Sequence, residues 1–395
     1  MPILGNTASQ SGKVPGPPTI TSATAGNSSV SVAFNAPEYV GKGSVTYTVT
    51  SSPGGFTGTG SSSPIVVSGL SNGTSYTFTV VASTSYGISG QTSSASSPAV
   101  PVAPAHTGAT WTSFSLPRSQ DWCAIRSNGT RFVALASSSI YGATSTDGIN
   151  WTEITLPAGL VNANVAWNGT IWLALSYYGA NTSNGSGVAT STDGITWTAR
   201  TKPDNYNATH ALAAKGSTFA NIGTNQGRGF VTTDGINYTT TSPAGKGWWG
   251  MGSNQTAFVA TTYYGDATFG YSTDGVSWSY PNSGSYDNFD IAWNGSVFCS
   301  PAYNSNKVEI SSDGLNWSTA TLPSTNTWSG IGSASSNFVT IATSSSAVAT
   351  SPDGSTWTAR TLPSTGNVQD TSISSLNGVF VAVSYGSSTA YRSTS

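Results

Sequence analysis

Short apolar–polar alternations fill the first hundred residues. Val30-Ser-Val-Ala-Phe34, Val45-Thr-Tyr-Thr-Val49 and Tyr76-Thr-Phe-Thr-Val80 each place every second side chain on one face, the pattern of a half-buried strand. Pro37, Pro53-Gly54-Gly55 and Asn72-Gly73 punctuate them as turns. About seven such strands in this length is the spacing of a β-sandwich. Farther along the pattern becomes apolar runs hinged on Asn-Gly, as in Asn164-Val-Ala-Trp-Asn-Gly-Thr-Ile-Trp-Leu-Ala-Leu175 and Asp290-Ile-Ala-Trp-Asn-Gly-Ser-Val-Phe-Cys299. Each predicts an inner strand, a tight hairpin turn and a second strand.

One motif recurs through the second part. It reads Ser145-Thr-Asp147-Gly-Ile-Asn-Trp151, Ser191-Thr-Asp193-Gly-Ile-Thr-Trp197, Thr232-Thr-Asp234-Gly-Ile-Asn-Tyr238, Ser272-Thr-Asp274-Gly-Val-Ser-Trp278, Ser311-Ser-Asp313-Gly-Leu-Asn-Trp317 and Ser351-Pro-Asp353-Gly-Ser-Thr-Trp357. The Asp residues are spaced by 46, 41, 40, 39 and 40. A period near ~40 built of short strands predicts propeller blades, each running strand A, Asn-Gly turn, strand B, loop, strand C, Asp turn, strand D. A seventh copy is split across the chain. Ala390-Tyr-Arg-Ser393-Thr-Ser supplies a strand C, and Thr107-Gly108-Ala-Thr-Trp111 supplies the turn and strand D, with Thr107 in the Asp position. Trp111 precedes Trp357 by 246 residues, six repeats of 41. The prediction is a ring closed by pairing of its first and last strands, which removes exposed sheet edges.

Two resemblances follow from these residues. Gly69-Leu70-Ser-Asn-Gly-Thr-Ser-Tyr76-Thr-Phe78-Thr-Val80 resembles the fibronectin type III family, in which a tyrosine hydroxyl bonds back to the backbone. Phe34 stands where that family has an early core Trp, and the resemblance implies a spacer or adhesion module. The Asp-Gly-x-x-Trp repeat resembles the Asp-box (bacterial neuraminidase) repeat of sialidase-like propellers, which implies structural roles for Asp147, Asp193, Asp234, Asp274, Asp313 and Asp353 on the face opposite an active site. The expected fold is all-β: an N-terminal fibronectin type III-like β-sandwich plus a seven-bladed β-propeller. Residues 1–14 are read as an anchor segment, 15–96 as the sandwich, 97–105 as a Pro-rich linker and 106–395 as the propeller.

Composition narrows the function. The 395 residues carry only 13 Lys+Arg and 15 Asp+Glu, a net charge of −2, but 13 Trp and 45 Gly. Thirteen scattered cations do not form a basic stripe, so nucleic acid is not an expected partner. No apolar run reaches the ~20 residues of a membrane span, so no insertion is expected. Two Cys (Cys123, Cys299) and two His (His106, His210) leave no metal constellation, no disulfide framework and no Ser/His/Asp set. No metal and no cofactor are expected. Met1-Pro-Ile-Leu-Gly-Asn-Thr-Ala-Ser-Gln10 lacks the charged and apolar regions of a secretory signal and resembles N-terminal runs of tailed-phage virion proteins.

Candidate chemistry is thin. The Arg-Ile-Pro stretch of sialidases is missing, Arg200 and Arg360 follow Trp-Thr-Ala on outer strands, and Glu153 and Glu309 are assigned outer positions. Asp121, Asp204, Asp266, Asp287, Asp290 and Asp370 are the acids expected opposite the Asp boxes, where a glycosidase would need two carboxylates about 5–10 Å apart. No catalytic residue is assigned and the chain is read as a non-enzyme. The loops of that face are aromatic, and Trp122, Tyr178, Tyr206, Trp248, Trp249, Tyr264, Tyr286 and Trp328 are the candidate glycan-binding side chains. The expectation is a structural virion protein of a tailed phage, a tail fibre, capsid fibre or decoration protein. It would dock on other virion proteins through its N-terminal segment, form a homo-oligomer on the particle and bind a host-surface glycan or receptor. A bacterial surface or secreted carbohydrate-binding protein and a glycoside hydrolase are the alternatives.

Overall fold

The computed structural model describes residues 14–26, 28–101, 107–137, 139–160, 163–176, 187–201, 211–223, 227–263, 268–281, 286–334, 337–369 and 372–394. The proposed anchor up to residue 13, with His106, Tyr178, Asp204, Tyr206, His210, Tyr264, Asp266 and Asp370, lies outside the described residues. The chain divides into two compact units, Met1–Pro104 and Ala105–Ser395. Strands are the only regular elements among the described residues, as expected of an all-β chain.

The first unit packs a three-stranded sheet, in the order Thr19–Gly26, Ser29–Asn35, Ile65–Ser68, against a four-stranded one, in the order Thr57–Gly60, Val45–Ser52, Thr77–Thr84, Ser89–Thr92. The alternating positions converge on one core of Val30, Val32, Phe34, Tyr47, Val49, Phe78 and Val80. Tyr76 is buried there, and its hydroxyl accepts the Ser71 N–H at 3.1 Å, tying the strand to the turn before it. The expected linker is shorter than its Pro content predicts. Ala99 is buried and pairs with Tyr76, and the Gly73 N–H donates to the Pro101 carbonyl at 2.9 Å, so the sandwich holds the chain through Pro101.

The second unit is a cycle of antiparallel sheets. Their innermost strands are Trp122–Ser127, Ala163–Trp167, Ala211–Lys215, Trp248–Ser253, Ala292–Trp293, Trp328–Ala334 and Ile373–Leu376. Each neighbours the next in chain order, and the last neighbours the first. The sheet begun by Ile373–Leu376 is completed from the other end of the unit. Its third strand, Ser387–Ser393, pairs with Trp111–Gln120, Ser393 opposite Trp111 and Ala390 opposite Phe114. The Thr394 N–H extends the ladder to the Thr110 carbonyl at 2.9 Å.

Packing between sheets explains the continuous apolar runs. Second strands such as Phe132–Ala136 and Trp172–Ser176 are buried along their whole length because a sheet lies on either side. The Trp that follows an Asp turn can reach across: Trp317 stacks on Phe269 of the preceding sheet at 3.6 Å, and Trp151 stacks on Phe114 of the closing sheet at 6.1 Å. Arg118 and Glu153 form an exposed ion pair across the closing sheet and its neighbour, a contact of small energetic weight.

Candidate functional site

The Asp residues act inside their own turns. In each of the six, one carboxylate oxygen accepts the N–H groups two and three residues on, at 2.8 Å, as Asp147 does from Ile149 and Asn150. The hydroxyl two residues before donates to the same carboxylate and accepts the following Gly N–H, as Thr232 does with Asp234 and Gly235. That glycine is required twice over. Gly235 has φ +68°, and a Cβ there would lie 2.5 Å from Thr190 Cγ2 of the preceding sheet. The split copy shares the geometry without the acid. Gly108 has φ +68°, a Cβ there would lie 2.5 Å from Val339 Cγ2, and the Trp111 indole donates to the Gly108 carbonyl at 2.8 Å, as Trp357 does to Gly354.

These bonds set a pH dependence. The amides of Asn237 and Ile236 hold the Asp234 carboxyl down at about 2, and those of Thr356 and Ser355 do the same for Asp353, also to about 2. For Asp147 burial pushes upward, but the amides of Asn150 and Ile149 outweigh it and the group falls lower still. A carboxyl depressed in the folded state stabilises fully above its unfolded value and loses that contribution as pH falls through the folded one. The melting temperature of the second unit is therefore expected to hold down to about pH 5 and to fall between pH 3.8 and about 2. A melting temperature flat across that interval would show that the turns do not depend on carboxylate charge.

On the face where D–A and B–C loops meet, the expected aromatic set separates. Trp122, Trp248 and Trp328 are 1%, 0% and 1% exposed and cannot stack on a ligand. They occupy equivalent positions at the entry to inner strands, each indole donating to the carbonyl four residues earlier: Arg118 at 3.3 Å, Ala244 at 2.8 Å and Ser324 at 3.2 Å. Gly270 makes room for one of them, since a Cβ there would lie 2.9 Å from the Trp248 ring. Successive strand residues point to opposite sides, so Trp249 turns away from that core. It is half-buried and joins a cluster with Tyr263, Phe289 and Tyr303. Ring centroids lie 5.5 Å apart for Trp249–Tyr263 and Trp249–Phe289, 4.4 Å for Tyr263–Phe289 and 4.7 Å for Phe289–Tyr303. Tyr286 is half-exposed on the loop that carries Phe289.

That loop is built by buried polar groups. Glu309, expected at an outer position, is 2% exposed and accepts the Asn288 Nδ2 at 2.6 Å. Asn288 also bridges Ala302, the Tyr303 N–H donates to the Asp287 carbonyl at 2.8 Å, and the Asn288 N–H to that of Thr262 at 3.0 Å. Asp290 is not a solvent-facing acid. It is 1% exposed, and its carboxylate accepts the N–H groups of Ile291 at 2.9 Å and Ile331 at 3.4 Å. Cys123 and Cys299 are not joined in a disulfide, and burial pushes both thiols up, Cys123 to about 12. Among the described residues no three of His, Cys, Asp and Glu come together as a metal cluster.

The opposite mouth of the ring, on the side of the A–B turns and Asp turns, holds a cavity of about 250 Å³. Arg126, Ser127, Trp167, Ser253, Ser333 and Ser374 are among its walls. Aligning the hairpins on Asn-Gly would have exposed Arg126, since Ile125-Arg-Ser-Asn-Gly stands against Val165-Ala-Trp-Asn-Gly and Ile291-Ala-Trp-Asn-Gly.

No family model matches the chain, and no curated protein matches it in sequence. Solved structures do share its fold. Virginiamycin B lyase from Staphylococcus aureus superposes with a TM-score of 0.60 at 10% identity, over 72% of this chain and 98% of the lyase. A streptogramin B lyase gives 0.60 at 12% identity, over 73% and 98%. The fold is a β-propeller. A computationally designed protein gives a TM-score of 0.50 at 9% identity, over 70% of this chain and 98% of its own. Two of these propellers are enzymes, which corrects the reading of this chain as a non-enzyme: sparse charge does not exclude catalysis on a propeller. At 10–12% identity the likeness extends to the fold and not to the chemistry.

Proposed function

We propose that the chain is a display protein of a tailed-phage particle that binds a host-surface glycan through its propeller. On this reading the first unit is a fibronectin type III-like spacer, the second a seven-bladed Asp-box propeller, and the N-terminal segment docks on other virion proteins. The two-sheet strand order and the Tyr76–Ser71 bond support the spacer. The Asp-box turns and the paired ends support the ring. The observation that carries the binding role is the cluster of half-buried Trp249, Tyr263 and Tyr303 around buried Phe289, set on polar, charge-poor loops. Aromatic faces with hydroxyl rims stack on the C–H faces of neutral sugars and bond their hydroxyls. Multiple copies on one particle raise weak single contacts to useful avidity.

Two measurements test it. Trp249→Ala and Tyr303→Ala are each expected to weaken binding of the full chain to host cells about tenfold, the loss of one ~1.4 kcal/mol contact, with only a small change in melting temperature. Unaltered binding by both sinks the site. Cosedimentation with phage particles is expected for the full chain and lost when residues 1–14 are removed; equal cosedimentation sinks the docking role.

A further inference from the structure

A seam between two sheets of the second unit, independent of the aromatic cluster, differs from its neighbours. Five of the six Asp turns end in Trp, and the third ends in Tyr238. Elsewhere that Trp meets the outer strand of the preceding sheet. Trp197 shares a buried cluster with Ile154, and Trp151 stacks on Phe114 at 6.1 Å. Ile154 and Phe114 each stand three residues after a Trp, and the residue so placed in the sheet before Tyr238 is Arg200. The Tyr238 hydroxyl still donates to the Gly235 carbonyl, at 2.5 Å, as the indoles do in their turns. Its smaller ring lies edge-on to Phe230 of its own sheet at 5.0 Å. Along this seam, between Thr198–Thr201 of one sheet and the Asp234 turn of the next, a cavity of about 400 Å³ opens. We infer that this cavity binds one hexuronate unit, its carboxylate on Arg200 and its hydroxyls on the surrounding threonines.

The walls carry complementary groups. Thr190 is buried, and Thr170, Thr196 and Thr198 are exposed, so the cavity has a polar wall in the seam and an open rim of hydroxyls. Thr190 Oγ1 accepts Arg200 Nε at 2.8 Å, which orients the guanidinium. Among the described residues the two terminal amino groups of Arg200 hold no hydrogen bond and no ion pair. They form the planar fork that matches the two oxygens of a carboxylate. Thr190 pairs with Thr198 and Val188 with Arg200 in the ladder, so a sheet rather than a loop sets this wall and little is lost in ordering it. The other wall holds Asp234. One of its oxygens takes the Ile236 and Asn237 amides and the Thr232 hydroxyl, and the second takes Asn237 Nδ2 at 2.7 Å. Its carboxylate charge repels a bare oxyanion and can accept from a sugar hydroxyl. A ligand with an acid at one end and hydroxyls around the rest satisfies both walls. The volume lies at the small end of the roughly 300–1,000 Å³ of ligand sites, room for one such unit.

Isothermal titration of the full chain with sodium glucuronate, glucose and sodium phosphate tests the site. One saturable event per chain is expected for glucuronate, and none for glucose or phosphate over the same range. Arg200→Gln is expected to weaken the glucuronate event about tenfold or more, the scale of a lost charged hydrogen bond. Tyr238→Trp, which restores the larger ring of the other turns and keeps the cation, is expected to close the seam and weaken it at least as much. The inference is overturned if glucuronate does not saturate, if glucose or phosphate binds as well as it does, or if Arg200→Gln binds as the parent does. Should Arg200→Gln fail to fold, unchanged binding by Tyr238→Trp overturns it.

Discussion

Removing Ala390–Ser395 is expected to abolish cooperative folding of the second unit while leaving the first intact. The deletion takes Ala390 and Tyr391 out of the core and leaves Trp111, Thr112, Ser113 and Phe114 without their strand partners. Tyr391 is 1% exposed, packs against Gly366 and shares the cluster of Trp111, Val339 and Phe380. Losing one such aromatic costs about 3–5 kcal/mol, and the broken ladder adds unpaired backbone groups. At roughly 2–4 °C per kcal/mol for a large domain, the transition should fall by ~20 °C or vanish. Calorimetry on the full chain reads both units at once. A second-unit transition at its original temperature would show that the paired ends do not hold the ring.

Trp248→Ala should be the most damaging single substitution among the loop-face tryptophans. Its side chain is fully buried against Met251 and Phe258, stacks near Tyr280 at 5.8 Å and fills the space that Gly270 leaves. A cavity of that size costs about 3–5 kcal/mol, or roughly 6–20 °C of melting temperature. Trp249→Ala, one residue on, should move it by a small fraction of that. Equal losses of stability from the two would mean that Trp249 is also core, which would remove it from the binding site.

That adjacent pair marks the boundary of what the sequence made legible. The Asp turns, the sheet order within a repeat and the pairing of the ends follow from local chemistry. An Asp followed by Gly and Trp can satisfy its carboxylate within five residues, so its role is written where it stands. The orientation of Trp248 against Trp249 depends on the register of the inner strand, and that strand is bulged between Trp248 and Met251. The buried positions of Glu309 and Asp290 depend on loops meeting across sheets, Asn288 with Glu309 and Asp290 with Ile331, at separations of 21 and 41 residues. Arg126 reads in the sequence as one scattered cation, and only the cycle places it in a cavity wall among short side chains.

The pairing of Ser393 with Trp111 also means that the ring has no intrinsic first sheet. Every sheet meets the next through the same kind of contact, and the backbone break at Thr110 and Thr394 is bridged like any other rung. Turns such as those at Gly129, Gly169 and Gly295, where an added Cβ would meet nothing, are structurally equivalent places to begin and end. What the sequence encodes in this unit is a cyclic order, and the sheet at which the ring is closed is one choice among several frames of reading it.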